Sequence, residues 1–177
     1  MVEIEKKYRL SPERAHEIID ELERCGAVFR GEDGEENTIY VGEVLAGGVM
    51  RIRRTEKHSL LTFKRRLPDL SDVKHQTEYE TEISDPEAAD RILRELTLTP
   101  TLVYEKRRRT WSLRSVELTV DELPFGLYME IEGSLTGIRE AEMLLGLDDL
   151  ETEYETYPRL TAQFGDRVGE VIEARFS

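Results

Sequence analysis

Acidic and basic side chains alternate with apolar ones at the start of the chain, where residues 2–8 read VEIEKKY. Side chains of an extended strand point alternately to its two faces, so Glu3, Glu5 and Lys7 are predicted to share one face. Two carboxylates and an ammonium group in one row can form an ordinary hydrated surface. They can also form the wall of a site that binds a metal ion together with an anion.

The same alternation returns in later segments, where the charged faces are sorted by sign. Basic residues alternate at Arg51 and Arg53, and again at Lys64 and Arg66. The whole segment 51–66 holds seven Lys or Arg and one Glu. The acidic faces lie elsewhere and carry Glu78, Glu80, Asp121, Glu130 and Glu132.

This sorting favours a binding site over a hydrated surface. Like charges two residues apart on one strand face repel, so a sheet that only faces water gains nothing from separating them. A metal-bound polyphosphate does benefit, because Lys and Arg neutralise phosphate oxygens while carboxylates hold a hard cation. Segment 104–114, with five Lys or Arg and one Glu, adds a further basic stretch. Periodicity alone still allows the ordinary polar surface.

The elements that must position these faces are predicted to be eight strands with flanking helices. Short turns between the strands favour antiparallel pairing, and eight such strands can close into a barrel. The fold class is therefore α+β, an eight-stranded antiparallel β-barrel with the charged faces turned inward and apolar outer faces covered by helices. The second strand is predicted only at NTIYVG, residues 37–42. Helices are predicted after Ser11, after Ser84 or Asp85, in GIREAEMLLGL, in YPRLTAQF and from about Asp166 to Phe176.

Bulk composition narrows the class of protein. A net charge of -13 repels nucleic acid, so a general nucleic-acid binder is not expected. Cys25 is the single cysteine, which leaves no internal disulfide and no zinc site based on thiolates. No long apolar segment predicts a signal peptide or a membrane span, so a cytoplasmic location is expected. Nothing marks a domain boundary, and residues 1–177 are predicted to form a single domain.

The charged segments also resemble a known family. VEIEKKY matches the Glu-x-Glu-x-Lys signature of the CYTH superfamily, the triphosphate tunnel metalloenzymes, which include class IV adenylyl cyclases and thiamine triphosphatases. Further resemblance follows in order along the chain at MRIRR, LLTFKRR, TEYETEI, YEKRRRTW, LTVDELPFGLYMEIEG and ETYPRL. The family's fold is an eight-stranded antiparallel tunnel. Where many members have an Arg before the acids of TEYETEI, this chain has Gln76 and Thr77.

The resemblance implies roles for the charged residues. Glu3, Glu5 and Lys7 are the expected catalytic residues. The expected substrate ligands are Lys7, Arg51, Arg53, Lys64, Arg66, Lys106 and Arg108. The expected metal ligands, for Mg²⁺ or Mn²⁺, are Glu3, Glu5, Glu78, Glu80, Asp121, Glu130 and Glu132.

Three functions follow from this interpretation. The first is a divalent-metal-dependent triphosphatase acting on inorganic tripolyphosphate or on an organic or nucleoside triphosphate. The second is a class IV adenylyl cyclase that converts ATP to cyclic AMP and pyrophosphate, and the third is a polyphosphate-binding module without turnover. The expected partner is a small triphosphate, with no nucleic acid and no membrane, and the protein is expected to be a monomer or a homodimer.

Overall fold

The computed structural model describes residues 2–66 and 74–177, except for the side chains of residues 2, 3, 66 and 74–76. The predicted roles of Glu3 and Arg66 therefore lie outside the described side chains. Within these ranges the strands are β1 (Val2–Leu10), β2 (Val28–Val41), β3 (Val49–Arg54), β4 (Ser59–Arg66), β5 (Lys74–Ile83), β6 (Thr99–Leu113), β7 (Val116–Leu123), β8 (Gly126–Glu132), β9 (Asp166–Val168) and β10 (Val171–Ala174). The helices are α1 (Pro12–Arg24), α2 (Pro86–Glu95), α3 (Leu135–Leu145) and α4 (Tyr157–Phe164).

Each helix begins after a polar side chain that satisfies a free backbone N–H group. The side-chain oxygens of Ser11, Asp85, Ser134 and Thr156 accept hydrogen bonds from the backbone N–H three residues later. Proline in the first turn of α1, α2 and α4 favours the same start, because it has no N–H to satisfy. No helix of the described ranges is long and apolar enough to cross a membrane.

The first eight strands pair into a closed antiparallel ring. Their order is β2-β3-β4-β5-β1-β8-β7-β6, and β2 also pairs with β6, so each strand of the eight has two neighbours. The closing pair is long, running from Val28 opposite Ser112 to Val41 opposite Thr99. The predicted eight-stranded antiparallel fold with flanking helices is confirmed.

The apolar residues of the ring point outward, beneath the helices. Leu118 of β7 and Ile131 of β8 are fully buried in one cluster with Ile18 of α1 and Ile138 of α3. On the other side of the ring, Ile52 of β3 packs in a cluster with Leu93 of α2 and Leu98. Charged side chains therefore face the lumen and the apolar side chains that alternate with them face outward, an arrangement called inverted alternation below. The helices bury this outer apolar face.

One end of the lumen is apolar and filled. Tyr157 and Leu160 of α4 form a cluster with Ile39 of β2, Tyr104 of β6 and Tyr128 of β8. Tyr104 lies two residues before Lys106, and Tyr128 two residues before Glu130, so these rings share the inward face with the charged side chains. Helix α4 therefore covers that end of the ring.

Two sequence predictions are corrected. Strand β2 begins at Val28 and not at residue 37, because the long β6 supplies a hydrogen-bonding partner for the charged, glycine-containing stretch before it. Residues 166–176 are not helical: Asp166–Val168 and Val171–Ala174 are strands, and Ile172 pairs with Leu102 in parallel. Strand β7 pairs with β6 only from Arg107 onward. Strand β10 instead pairs with the earlier part of β6, at Leu102–Tyr104. In both places tertiary pairing overrides local pattern.

The inverted alternation predicts that an apolar residue between two arginines supports the fold. Ile52 is 0% exposed beneath α2, so Ile52→Ala is expected to lower the free energy of unfolding by about 2–5 kcal/mol. Ile92→Ala on α2 is the matched control, because Ile92 is 59% exposed. Urea unfolding followed by circular dichroism measures both variants. Equal losses in the two would contradict the outward placement of Ile52.

Candidate functional site

Seven charged side chains from six strands form one chain of ion pairs inside the ring. It begins at Lys7, whose Nζ lies 3.2 Å from Oε1 of Glu130. Arg108 Nη2 lies 2.6 Å from Oε2 of the same carboxylate and 2.5 Å from Oδ2 of Asp121. Lys106 Nζ lies 3.6 Å from Oδ1 of Asp121. The chain of contacts thus connects strands β1, β8, β6 and β7.

The same chain continues to β2 and β3 through a buried carboxylate. Oε2 of Glu35 lies 3.2 Å from Lys106 Nζ and 3.2 Å from Nε of Arg53. Asn37 Nδ2 donates a hydrogen bond of 3.2 Å to that same oxygen, while Asn37 Oδ1 accepts one of 3.1 Å from Arg53 Nε. The strand register brings these side chains into contact, because Glu35 is opposite Lys106 and Asn37 is opposite Arg53.

A second group of ion pairs lies on β3, β4 and β5. Arg51 Nη2 lies 3.3 Å from Oε2 of Glu80 and 3.8 Å from Oε1 of Glu78. Lys64 Nζ lies 2.5 Å from Oε2 of Glu78. The hydroxyl of Thr62 accepts from Arg51 at 3.2 Å and donates to Glu80 at 2.8 Å. Arg51, Thr62 and Glu80 thus form a hydrogen-bonded row across three strands.

Burial and neighbouring charges shift the pKa values of this network. Burial alone raises the pKa of the Glu35 carboxyl, but Lys106, Arg53 and Arg108 outweigh it and lower that pKa to about 2. Burial lowers the pKa of Lys106 to about 8; Arg108 acts in the same direction, and Asp121 and Glu35 oppose it. Burial also opposes ionisation of Glu130, yet Lys7 and Arg108 hold its pKa well below the usual range.

Three further carboxylates lie on adjacent strands next to this network. Glu132 of β8 is opposite Glu5 of β1 and also opposite Glu117 of β7. Burial raises the pKa of Glu132, and the charges of Glu117 and Glu5 raise it further. Like charges directly opposite one another destabilise a sheet. A divalent cation between these oxygens would remove that repulsion.

The donor chemistry of this region fits a hard divalent cation. Glu5, Glu130 and Glu132 offer carboxylate oxygens, which suit Mg²⁺ or Mn²⁺ better than zinc. Among the described residues, the buried hydroxyl of Thr119, opposite Glu130 on β7, has no hydrogen-bond partner, as expected where a coordinated water would complete the set. In the part of the chain that the structure describes, however, no three His, Cys, Asp or Glu side chains are already gathered as a metal site.

The structure brings most of the predicted site residues into the two groups of ion pairs. Their roles toward phosphate and metal remain predictions. The residues brought together are Lys7, Arg51, Arg53, Lys64, Glu78, Glu80, Lys106, Arg108, Asp121 and Glu130. Asp121 is 0% exposed and accepts hydrogen bonds from Nε and Nη2 of Arg108, at 2.7 and 2.5 Å, so its oxygens are largely committed to hydrogen bonds.

Sequence reasoning did not identify two residues that complete the network. Glu35 was missed because GEDGEE does not read as a strand, and only its register with Lys106 places it inside. Tyr157 lies in the ETYPRL segment, but its contacts come from the fold. Its hydroxyl donates a 2.7 Å hydrogen bond to Oδ2 of Asp121, and its ring lies 3.8 Å from Nζ of Lys7.

Loss of the Tyr157 hydroxyl is expected to destabilise the lumen. Tyr157→Phe removes a donor from a carboxylate that is 0% exposed, so the free energy of unfolding should fall by about 1–3 kcal/mol. Tyr154→Phe is the matched control, because Tyr154 is 63% exposed. Urea unfolding curves compare the two with the wild type. A loss no larger than that of the control would argue against the buried hydrogen bond.

Comparisons with known proteins place this chain in a family. The CYTH domain family model matches residues 1–157. Among solved structures, the PH1012 protein from Pyrococcus horikoshii OT3 shares 25% sequence identity at a TM-score of 0.78, and the match covers 89% of this chain and 98% of that one. A search of curated proteins found no match.

Two further solved structures share the fold at lower identity. A candidate adenylyl cyclase from Hippeastrum with a dominant triphosphatase activity is 21% identical, with a TM-score of 0.67 and coverage of 94% of this chain and 98% of that one. A candidate adenylate cyclase from Vibrio parahaemolyticus is 18% identical, with a TM-score of 0.71 and coverage of 92% and 98%. With the family match extending over residues 1–157 and the closed ring of strands in place, the chain belongs to the CYTH domain family.

Proposed function

We propose that this protein is a divalent-metal-dependent triphosphatase acting on inorganic tripolyphosphate or on the triphosphate group of an organic or nucleoside compound. The observation that carries the proposal is the convergence of basic side chains from β1, β3, β4 and β6 inside one ring. They are Lys7, Arg51, Arg53, Lys64, Lys106 and Arg108. A row of phosphates carries charge along its length, and cations on opposite walls can contact it from several sides.

The acids beside these cations would hold the metal ion. Glu5, Glu130 and Glu132, with Glu3, are the proposed ligands, while Glu78 and Glu80 lie near Arg51 and Lys64 as further oxygen donors. Bound Mg²⁺ or Mn²⁺ would supply charge neutralisation at phosphate oxygens and a more acidic coordinated water. Lys7 and Arg108 both contact Glu130, so they can hold phosphate oxygens next to the metal ligands.

The basic side chains of the ion-pair network would stabilise the negative charge of the reacting triphosphate. Negative charge on the transferred phosphoryl group and the leaving phosphate is spread over their oxygens, and fixed cations stabilise it without reorganising. Arg108 is well suited to this, because Asp121 holds its guanidinium at two points and fixes its orientation. The pKa of Arg108 lies well above its ordinary value, since Asp121 and Glu130 outweigh its burial, so it stays charged throughout.

Packing at the closed end supports hydrolysis over cyclisation. The ring of Tyr157 lies 5.6 Å from that of Tyr128 and 6.4 Å from that of Tyr104, centroid to centroid. All three rings are buried, so they offer no exposed face on which an adenine could stack at this end of the lumen. The adenylyl cyclase reaction uses the same cations and metal, and it is the outcome that product analysis distinguishes from hydrolysis.

Product analysis tests the proposal directly. Chelator-treated protein is titrated with Mg²⁺, Mn²⁺ and then Ca²⁺ in the presence of tripolyphosphate or ATP, and products are identified by phosphorus NMR. Orthophosphate is expected as a product of tripolyphosphate, only with Mg²⁺ or Mn²⁺, because the lumen acids repel a bare triphosphate. Ca²⁺ should support little turnover, since its coordination is larger and looser. Cyclic AMP as the main product from ATP, or full activity in excess chelator, would reject the metal-dependent triphosphatase.

Neighbouring arginines on β3 give a matched test of the inward face. Arg53→Ala should weaken tripolyphosphate binding by about tenfold or more, because it removes a charge-assisted contact. Arg54→Ala is the control: Arg54 pairs instead with Glu36 and Glu87, 3.6 Å away in each case. Isothermal titration calorimetry in the presence of Ca²⁺ measures both affinities. Equal effects of the two substitutions would show that phosphate does not contact the inward face of β3.

A further inference from the structure

Glu35 is a lumen carboxylate that is not among the proposed metal ligands. Like Glu130 and Asp121, it contacts two of the proposed phosphate ligands, which in its case are Arg53 and Lys106. It also accepts a hydrogen bond from Asn37. All three of these contacts go to the same oxygen, Oε2, each at 3.2 Å.

This arrangement has the form of an anion site that the protein itself fills. An oxygen that forms ion pairs with a guanidinium and an ammonium group and accepts a hydrogen bond from an amide is placed like a bound phosphate oxygen. The side chain of Glu35 is 4% exposed, and its pKa of about 2 keeps it charged at neutral pH. Two of the cations that would bind phosphate are therefore already neutralised before any ligand arrives.

We propose that Glu35 is an internal competing anion that sets the affinity of the lumen for phosphate. The inference rests on the proposed function in taking Arg53 and Lys106 as phosphate ligands. A phosphate oxygen that contacts both cations must displace the Glu35 carboxylate or share them with it, and the like charges repel at short range. The residue thereby weakens binding of anions that bring no metal ion and promotes release of product phosphate.

Removal of the carboxylate charge tests this role. Glu35→Gln retains the size of the side chain, and it is expected to tighten metal-free pyrophosphate and tripolyphosphate binding by about tenfold. The matched control is Glu36→Gln, which changes net charge equally but acts outside the lumen, where Glu36 pairs with Arg54 and Arg175. Its affinities should stay within about twofold of the wild type. Isothermal titration calorimetry in chelator gives all of these values.

Two outcomes would overturn the proposal. If Glu35 only orients Arg53 and Lys106, Glu35→Gln and Glu35→Asp will both bind the two anions more weakly than the wild type. Unchanged affinity in Glu35→Gln would equally reject a competing anion. If Glu35→Gln does not fold, Glu35→Asp decides alone, because a shorter carboxylate withdrawn from the two cations should tighten anion binding in the same direction.

Steady-state kinetics distinguish a competing anion at Glu35 from a residue that only supports the structure. The binding measurements distinguish failure of this proposal from failure of the proposed triphosphatase function. With Mg²⁺ and tripolyphosphate, Glu35→Gln should show a lower KM and, because product leaves more slowly, a lower kcat. A purely structural defect would lower kcat without lowering KM. The pyrophosphate binding measurements need no turnover. If the wild-type protein hydrolyses no triphosphate, the proposed triphosphatase function is rejected. The comparison of Glu35→Gln with Glu36→Gln still tests whether Glu35 competes with bound anions.

Discussion

The cost of burying charge governs this structure. Removing ions from water carries a penalty of several kcal/mol for each, which close pairing and hydrogen bonding must offset. The lumen meets that requirement by linking its charges in series: Glu130 bridges Lys7 and Arg108, and Glu35 bridges Lys106 and Arg53. Because the charged side chains face inward, the apolar side chains alternating with them point outward. The helices around the ring are needed to cover them.

The same pairing that stabilises the lumen also limits what can enter it. A phosphate group gains little from an arginine whose charge a carboxylate has already neutralised, unless that carboxylate finds another partner. A divalent cation can serve as that partner for Glu130, releasing Lys7 and Arg108 toward phosphate. Metal and triphosphate are then expected to bind with mutual reinforcement, since each neutralises the charge that opposes the other. Under the proposed function, the stability of the lumen and a preference for a metal-bound ligand would have one electrostatic origin.

Sequence patterns predicted the inward side chains on strands where charged and apolar residues alternate regularly. They failed where a segment becomes a strand only by pairing with a distant strand. Arg51 and Arg53 flank Ile52 in a simple period of two, so their inward direction could be read directly from the sequence. Glu35 could not be found in this way, because glycines and charges on both faces of the 28–36 segment hide its period. Only the hydrogen bonds from the long β6 make that segment a strand. The segment 166–176 was predicted wrongly for the same reason, since its strands depend on a distant edge at Leu102.

Helix α4 begins where the family match ends, and its first residue contacts the charged side chains of the lumen. Residue 157 is the last position of the CYTH match, and there Tyr157 donates to Asp121 while its ring faces Lys7. Lys7 also donates through Nζ to the backbone oxygen of Glu155, at 3.1 Å, so the entry into α4 is bonded to the first strand. Leu160 then packs in the apolar end of the ring. The orientation of Lys7 and Arg108 therefore depends on a segment more than 140 residues from the Glu-x-Glu-x-Lys signature, and a change in the position of α4 would reach the proposed phosphate ligands through Asp121.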